Sequence, residues 1–197
     1  MKYILASASP RRKEILENLG LKFSVITSDA DESCDERDPE RLTALLAERK
    51  GEAVRDLLNS RGELDSETVI IASDTVVYCC GEILGKPRDK ADAERMMRML
   101  SGKTHSVTSG VALIYQGRTV SAAVSTEVTF DELSEEFIEA YISSDEPYDK
   151  AGAYAIQGKA APVISGINGC YFSVVGLPVN RLCTLARENG IPFLLGE

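Results

Sequence analysis

Thr68-Val69-Ile70-Ile71-Ala72-Ser73-Asp74-Thr75-Val76-Val77-Tyr78 is the stretch on which the fold turns. Residues 68–72 form an apolar, β-branched run without alternation, the pattern of a central strand covered on both faces. The polar Ser73-Asp74-Thr75 reads as an interruption, with Val76-Val77-Tyr78 resuming the strand beyond it. Upstream, residues 3–6 and 23–27 read as further strands. Between them Ile15, Leu16 and Leu19 recur at helical spacing over 10–19, and Gly20 stops that helix. Residues 39–58 carry an apolar stripe of Leu42, Leu45, Leu46, Ala53, Leu57 and Leu58, which predicts a long helix. Downstream, 89–101 reads as a helix rich in Met and Leu. Residues 107–115 and 119–130 then read as two long strands joined around Gln116-Gly117. In the second, Val120, Ala122, Val124, Val128 and Phe130 alternate with Ser121, Ser125, Glu127 and Thr129. Ser134 caps a helix over 134–142, residues 160–175 read as strand and turn, and 178–189 as a last helix with Pro178 at its start. Strands and helices alternate at first and a hairpin follows, so the class is α/β with a mixed sheet rather than a doubly wound one. Neither G-x-G-x-x-G nor G-x-x-x-x-G-K-[ST] occurs, which removes the main support for dinucleotide-binding and P-loop readings.

The chain has 197 residues, 44% apolar and 27% charged, an ordinary globular composition. One domain over 1–197 is expected, long enough to bury a sizeable core. Lys plus Arg number 22 and Asp plus Glu 31, for a net charge of −9. That sign argues against a nonspecific nucleic-acid or anionic-membrane binder, yet leaves room for a phosphate ligand in a local cationic pocket. The N-terminus lacks a secretory apolar core and no stretch is continuously apolar, so a cytoplasmic protein is expected. The five cysteines, Cys34, Cys79, Cys80, Cys170 and Cys183, form no C-x-x-C pair, and His105 is the single histidine. This excludes a conventional zinc cage and predicts reduced thiols. A catalytic Cys-His pair would have to use His105, and no nucleophile elbow surrounds any cysteine.

The residues suited to chemistry lie around that frame. Ser7-Ala8-Ser9-Pro10-Arg11-Arg12-Lys13 opens the first helix, with Ser9 a good N-cap and Pro10 a good first residue. Three cations then crowd a turn where the helix dipole already places about half a positive charge. An anion bound there would reverse that cost and receive backbone N–H bonds. The turn therefore reads as a phosphate site or, failing that, a solvated basic turn. Asp74, at the expected tip of an apolar strand, needs a metal, a cation or N–H donors, unless it caps a turn. Lys50 on the long helix and Lys86 in Gly85-Lys86-Pro87 read singly as surface lysines. Together with Arg11 and Arg12 they would form a polyphosphate cradle. Residues 145–158 mix charges, Pro147, two glycines and two tyrosines without periodicity. Ordering such a segment costs entropy unless it makes specific contacts. Its Gln157 offers a donor and an acceptor to a base edge; the alternative is a well-capped surface loop. The carboxylates of Asp29-Ala30-Asp31-Glu32 are either solvated or bridged by a hard cation such as Mg²⁺.

These segments occur together and in order, and through them the chain resembles the Maf family of nucleoside triphosphate pyrophosphatases over essentially its full length. The resemblance is carried by Ser7-Ala8-Ser9-Pro10-Arg11-Arg12, Ser73-Asp74-Thr75-Val76-Val77, Gly85-Lys86-Pro87, residues 149–158 (DKAGAYAIQG) and Val175-Gly176-Leu177-Pro178. It implies a two-lobed fold like that of inosine triphosphatases, its mixed twisted sheet flanked by helices around a central substrate cleft. It also implies hydrolysis of a nucleoside triphosphate to the monophosphate and pyrophosphate with a divalent cation, Mg²⁺ or Mn²⁺. Ala155-Ile156-Gln157-Gly158 resembles the branch acting on dTTP and UTP rather than on 7-methyl-GTP. By the same resemblance Arg12, Thr75 and Gln157 match positions that set base preference, and Asp74 matches the proton acceptor.

The expected mechanism follows. Ser9, Arg11, Arg12, Lys50 and Lys86 bind the triphosphate, with Lys86 also counted among the catalytic residues. Glu32 and Asp74 hold the cation, and a water polarised by it and deprotonated by Asp74 attacks the α-phosphorus. Aspartate is a weak base toward bulk water, so acidification of the water by the metal is the larger effect. Modified pyrimidine nucleotides, and hence pool cleaning, fall within this expectation, as does a role in cell-division arrest. The alternative is a nucleotide-sensing module acting through a protein partner. No stable nucleic-acid or membrane partner is expected, and the sequence is compatible with a homodimer.

Overall fold

The computed structural model describes residues 1–193. Along them run β1 (Lys2–Leu5), α1 (Pro10–Asn18), β2 (Phe23–Val25), α2 (Pro39–Ser60), β3 (Thr68–Cys79) and β4 (Glu82–Leu84). Then come α3 (Lys90–Leu100), β5 (Thr104–Tyr115), β6 (Arg118–Phe130), α4 (Glu135–Ile142), β7 (Ile164–Asn168), α5 (Tyr171–Val175) and α6 (Val179–Glu188). Short 3-10 turns at Pro147–Asp149, Ala151–Ala153 and Ala161–Val163 punctuate the connection from α4 to β7.

The strands join in one seven-stranded sheet of order β2-β1-β3-β5-β6-β7, with β4 paired to β3 beside that path. β1 lies parallel to β2 and β3, whereas β4 on β3 and β7 on β6 are antiparallel, so the sheet is mixed as expected. Two tight turns rely on left-handed backbone. Gln116-Gly117 (φ 49 and 74) joins β5 to β6, and Cys80-Gly81 (φ 53 and 85) joins β3 to β4. Positive φ at both central residues is what a two-residue hairpin demands.

The chain divides into two compact units. The first holds Met1–Asp74, Ser109–Val124 and 176–193; the second holds Thr75–Thr108 and Ser125–Val175. In the first, α2 lays Ala47, Val54 and Leu58 against Ile4, Ile70, Ala72, Ala112 and Ile114 of β1, β3 and β5. Two glycines set how close that helix lies. A Cβ on Gly110 would stand 2.2 Å from the backbone of Thr43, and one on Gly51 would stand 2.2 Å from Ile114 Cδ1. In the second unit, Met96, Met97 and Leu100 of α3 and Ile138, Tyr141 and Ile142 of α4 enclose Val77, Val107, Val128 and Phe130.

Three local expectations are corrected. Ser73-Asp74-Thr75 does not interrupt the central strand, because β3 is continuous over twelve residues. The Ser73 hydroxyl shares its proton between Gly110 O at 2.7 Å and Gly176 O at 2.9 Å, so a buried polar side chain is satisfied without breaking the ladder. Asp74 consequently sits inside a strand and not at its tip. Residues 160–175 include a helix, α5, besides strand and turn, and the short β4 had no counterpart in the sequence reading.

Candidate active site

The site of the first unit begins at the N-terminus of α1. Ser9 caps the helix, its side chain accepting from Arg12 N at 3.5 Å, and its own N–H donates to Ser7 Oγ at 3.2 Å. The Arg12 side chain folds back on this cap. It donates from a terminal nitrogen to Ser7 Oγ at 3.0 Å and from Nε to Gly176 O at 2.8 Å. Gly176 has φ 121, a conformation costly for any other residue, and it aims one carbonyl at both Arg12 and Ser73. Lys13 behaves differently, pairing at 3.5 Å with Glu17 one turn along, both side chains about half exposed. Of the three cations crowding this turn, Arg12 is thus locked and Lys13 belongs to the surface.

Lys50 connects the remaining charges. Its ammonium lies 2.5 Å from Asp74 Oδ1 and 3.0 Å from Glu32 Oε1. The close seating of α2 at Gly51 brings the lysine to β3. Burial lowers the Arg12 pKa, Asp74 pulls it back up, Arg11 lowers it further and Glu32 raises it. Arg12, Asp74 and Glu32 therefore share one electrostatic neighbourhood, with Arg11 beside it. In the acidic loop, Asp31 is consumed locally: it accepts from Ser33 N at 2.9 Å and Ser33 Oγ at 2.6 Å, which lowers its pKa. Glu32 is left as the carboxylate of that loop facing Lys50.

Asp74 and Glu32 suit a hard divalent cation. They already converge on one positive charge, and Mg²⁺ is usually held by one or two carboxylates completed by water and phosphate oxygens. Among the described residues no group of three or more His, Cys, Asp or Glu side chains forms an all-protein cage.

The other expected residues lie in the second unit. Thr75, half-buried, follows Asp74 on β3, and Lys86 is exposed in the turn between β4 and α3. That turn is tied to the segment carrying Gln157 by Gly152 N donating to Gly85 O at 3.0 Å. Gly152 has φ 68 and packs on Val77, where a Cβ would come within 2.7 Å. Gln157 is exposed on a turn closed by Gly158 N donating to Ala155 O at 3.1 Å. Glu146 accepts from Lys159 N through both oxygens, at 2.8 and 3.0 Å, and from Tyr141 OH at 3.0 Å.

His105 lies in the core of the second unit. It is 3% exposed, hydrogen-bonds Tyr154 OH at 2.8 Å and meets Phe130 and Tyr154 edge-on. Burial pushes its pKa down to about 4, and that of the Cys79 thiol up to about 11. Ser7, Gly176 and Glu146 were not singled out from the sequence. All three lie in stretches already quoted, Ser7 in Ser7-Ala8-Ser9-Pro10-Arg11-Arg12, Glu146 in 145–158 and Gly176 in Val175-Gly176-Leu177-Pro178, but they act through hydrogen bonds to residues elsewhere in the chain that no local pattern announces.

No helix among the described residues is long and apolar enough to cross a membrane. In overall fold the chain is similar to the Ham1 protein of Staphylococcus aureus, with a TM-score of 0.50 at 14% identity over 96% of this chain and 100% of that one. Its sequence is 47% identical over 191 residues, 96% of each chain, to proteins of Bacillus anthracis and Bacillus cereus named dTTP/UTP pyrophosphatase. A protein of the same name from Bacillus cytotoxicus matches at 47% over 182 residues, 92% of each chain. The family described as Maf-like protein matches residues 2–189, and the chain belongs to that family.

Proposed function

We propose that the chain hydrolyses dTTP and UTP to the nucleoside monophosphate and pyrophosphate. The observation that carries this reading is the convergence of Arg12, Lys50, Glu32 and Asp74 at the capped start of α1. Two cations and two carboxylates around one helix N-terminus suit a charged, hydrated triphosphate better than any neutral ligand. The named activity of relatives at 47% identity supports the same substrate class.

Arg12, held by Ser7 and Gly176, presents fixed positive charge, and fixed donors act without reorganising as charge grows on the leaving group. Arg11 and the Ser9 hydroxyl bind phosphoryl oxygens. Lys50 transfers its ammonium from Asp74 toward the polyphosphate, leaving the Asp74 carboxylate able to take the proton of the attacking water. Asp74 and Glu32 would hold the divalent cation, whose chemistry here is to offset phosphoryl charge and acidify water. Lys86 neutralises pyrophosphate as it departs. Thr75 and Gln157 select the base, Gln157 through an amide that offers donor and acceptor to a pyrimidine edge. The compartment is the cytoplasm, consistent with five unpaired thiols.

Pyrophosphate release should be measured with dTTP, UTP, dCTP, dATP and dGTP, each with Mg²⁺ and with Mn²⁺. Turnover much faster with dTTP and UTP than with the other three is the expected result. Stoichiometric binding without turnover would overturn it in favour of a nucleotide sensor acting through a partner.

A further inference from the structure

The turn carrying Gln157 is exposed and short, yet a reader of base edges must be held still. Within the second unit a carboxylate adds its hold to the Gly158–Ala155 hydrogen bond that closes the turn. Glu146 accepts the Lys159 N–H through both oxygens, at 2.8 and 3.0 Å, two residues beyond Gln157. Between them lies Gly158, where a Cβ would stand 2.2 Å from Glu146 Oε1, so the carboxylate occupies the very space a side chain would fill. The carboxylate is anchored in turn. Tyr141, 3% exposed on α4, donates its hydroxyl to Oε1 at 3.0 Å. The Glu146 carbonyl accepts from Lys150 Nζ at 2.7 Å, and its N–H donates to Ser144 Oγ at 3.4 Å. Burial foremost, then the Glu146 charge, raises the Tyr141 pKa, which keeps that phenol a donor. A chain of fixed groups thus runs from the core through Tyr141 and Glu146 to the backbone beside Gln157.

We propose that Glu146 is the positioning residue for base selection, gripping the turn that presents Gln157. The proposal rests on the reading that Gln157 meets the base. Preorganised recognition loses affinity when the recognising group must first be ordered.

The test compares Glu146→Gln, Glu146→Ala, Gly158→Ala and Gln157→Ala in the full chain, with dTTP and dCTP as substrates. Glu146→Ala should raise KM for dTTP about tenfold, the worth of one or two hydrogen bonds, with kcat changed less than about twofold. Preference for dTTP over dCTP should fall by a similar factor. Glu146→Gln, which keeps the size and one acceptor, should fold normally and show a smaller shift in the same direction, whereas Gly158→Ala, whose methyl would push the carboxylate off the turn, should shift KM and preference about as far as Glu146→Ala. Glu146→Ala should add little to Gln157→Ala, because two residues serving one contact are not additive. If Gln157→Ala loses base preference while both Glu146 variants keep KM and preference, the grip is refuted. A lowered melting temperature with KM and preference intact refutes it too, by showing a merely structural role. If Gln157→Ala itself leaves preference unchanged, the reading of Gln157 fails and the proposal falls with it.

Discussion

Asp74 and Asp92 are both nearly lost to solvent, at 8% and 6% exposure, one in each unit, and they are held in opposite ways. Asp92 Oδ2 accepts from Arg88 N at 3.2 Å and Arg88 Nε at 3.0 Å, while Oδ1 accepts from Arg95 Nε at 3.0 Å. Led by the Arg88 hydrogen bond, these donors push its pKa down to about 2. Asp74 is met instead by the Lys50 ammonium, which it shares with Glu32. A guanidinium fork has fixed geometry, whereas an ammonium on a four-carbon stem is compact and easily redirected. Asp92 is a staple for the start of α3. Asp74 is a charge held by one ammonium that it shares with a second carboxylate. Burial of a carboxylate therefore says little about function; the kind of donor facing it says much.

The largest effect should come from Asp74→Asn. Pyrophosphate release is expected to fall about 10³-fold, the range for a lost proton acceptor, while the melting temperature shifts by less than about 2 °C. Near-normal turnover would erase the contrast. Asp92→Asn should do the reverse. It should lower stability by about 2 kcal/mol in chemical denaturation, less than a fully buried pair because Arg88 is exposed, and leave kcat within about twofold.

Acid titration sharpens the same contrast. The folded pKa of Asp92 lies below its unfolded value, so its contribution is complete above about pH 4 and fades as pH falls toward about 2. His105 titrates earlier: its folded pKa of about 4 is below the unfolded 6.5, so the unfolded chain binds the proton first. Stability should drop by about 1–2 kcal/mol between pH 7 and pH 5, and His105→Phe should flatten that window. A variant that keeps the full slope would place the titrating group elsewhere. Smallest of all, Lys13→Ala should change stability by less than about 0.5 kcal/mol and leave pyrophosphate release unaltered.

Where chemistry is local, the sequence was readable. The helix α2 shows in its leucine spacing, the β5–β6 hairpin in its alternation and Gln116-Gly117, and the start of α1 in Ser9 followed by Pro10. The mixed sheet, and membership of the Maf family, followed from such segments taken in order. Features that depend on distant partners were not readable. Ser73 stays in the strand because Gly110 and Gly176, 37 and 103 residues away, accept its proton. Lys50 finds Asp74 across 24 residues. β4 is three residues long, too short for any period to register, and owes its place to the Cys80-Gly81 turn.

Gly51 carries a consequence for anyone redesigning this enzyme. Exchanging a mid-helix glycine for alanine is a standard route to thermostability, worth about 1 kcal/mol in helix propensity. Here the added methyl would press on Ile114 and Ala72, at 2.2 and 3.3 Å, and lift the neighbouring Lys50 off its carboxylates. The bare Cα at 51 is thus a spacer of zero thickness, and hardening the scaffold at that point would blunt the tool it carries.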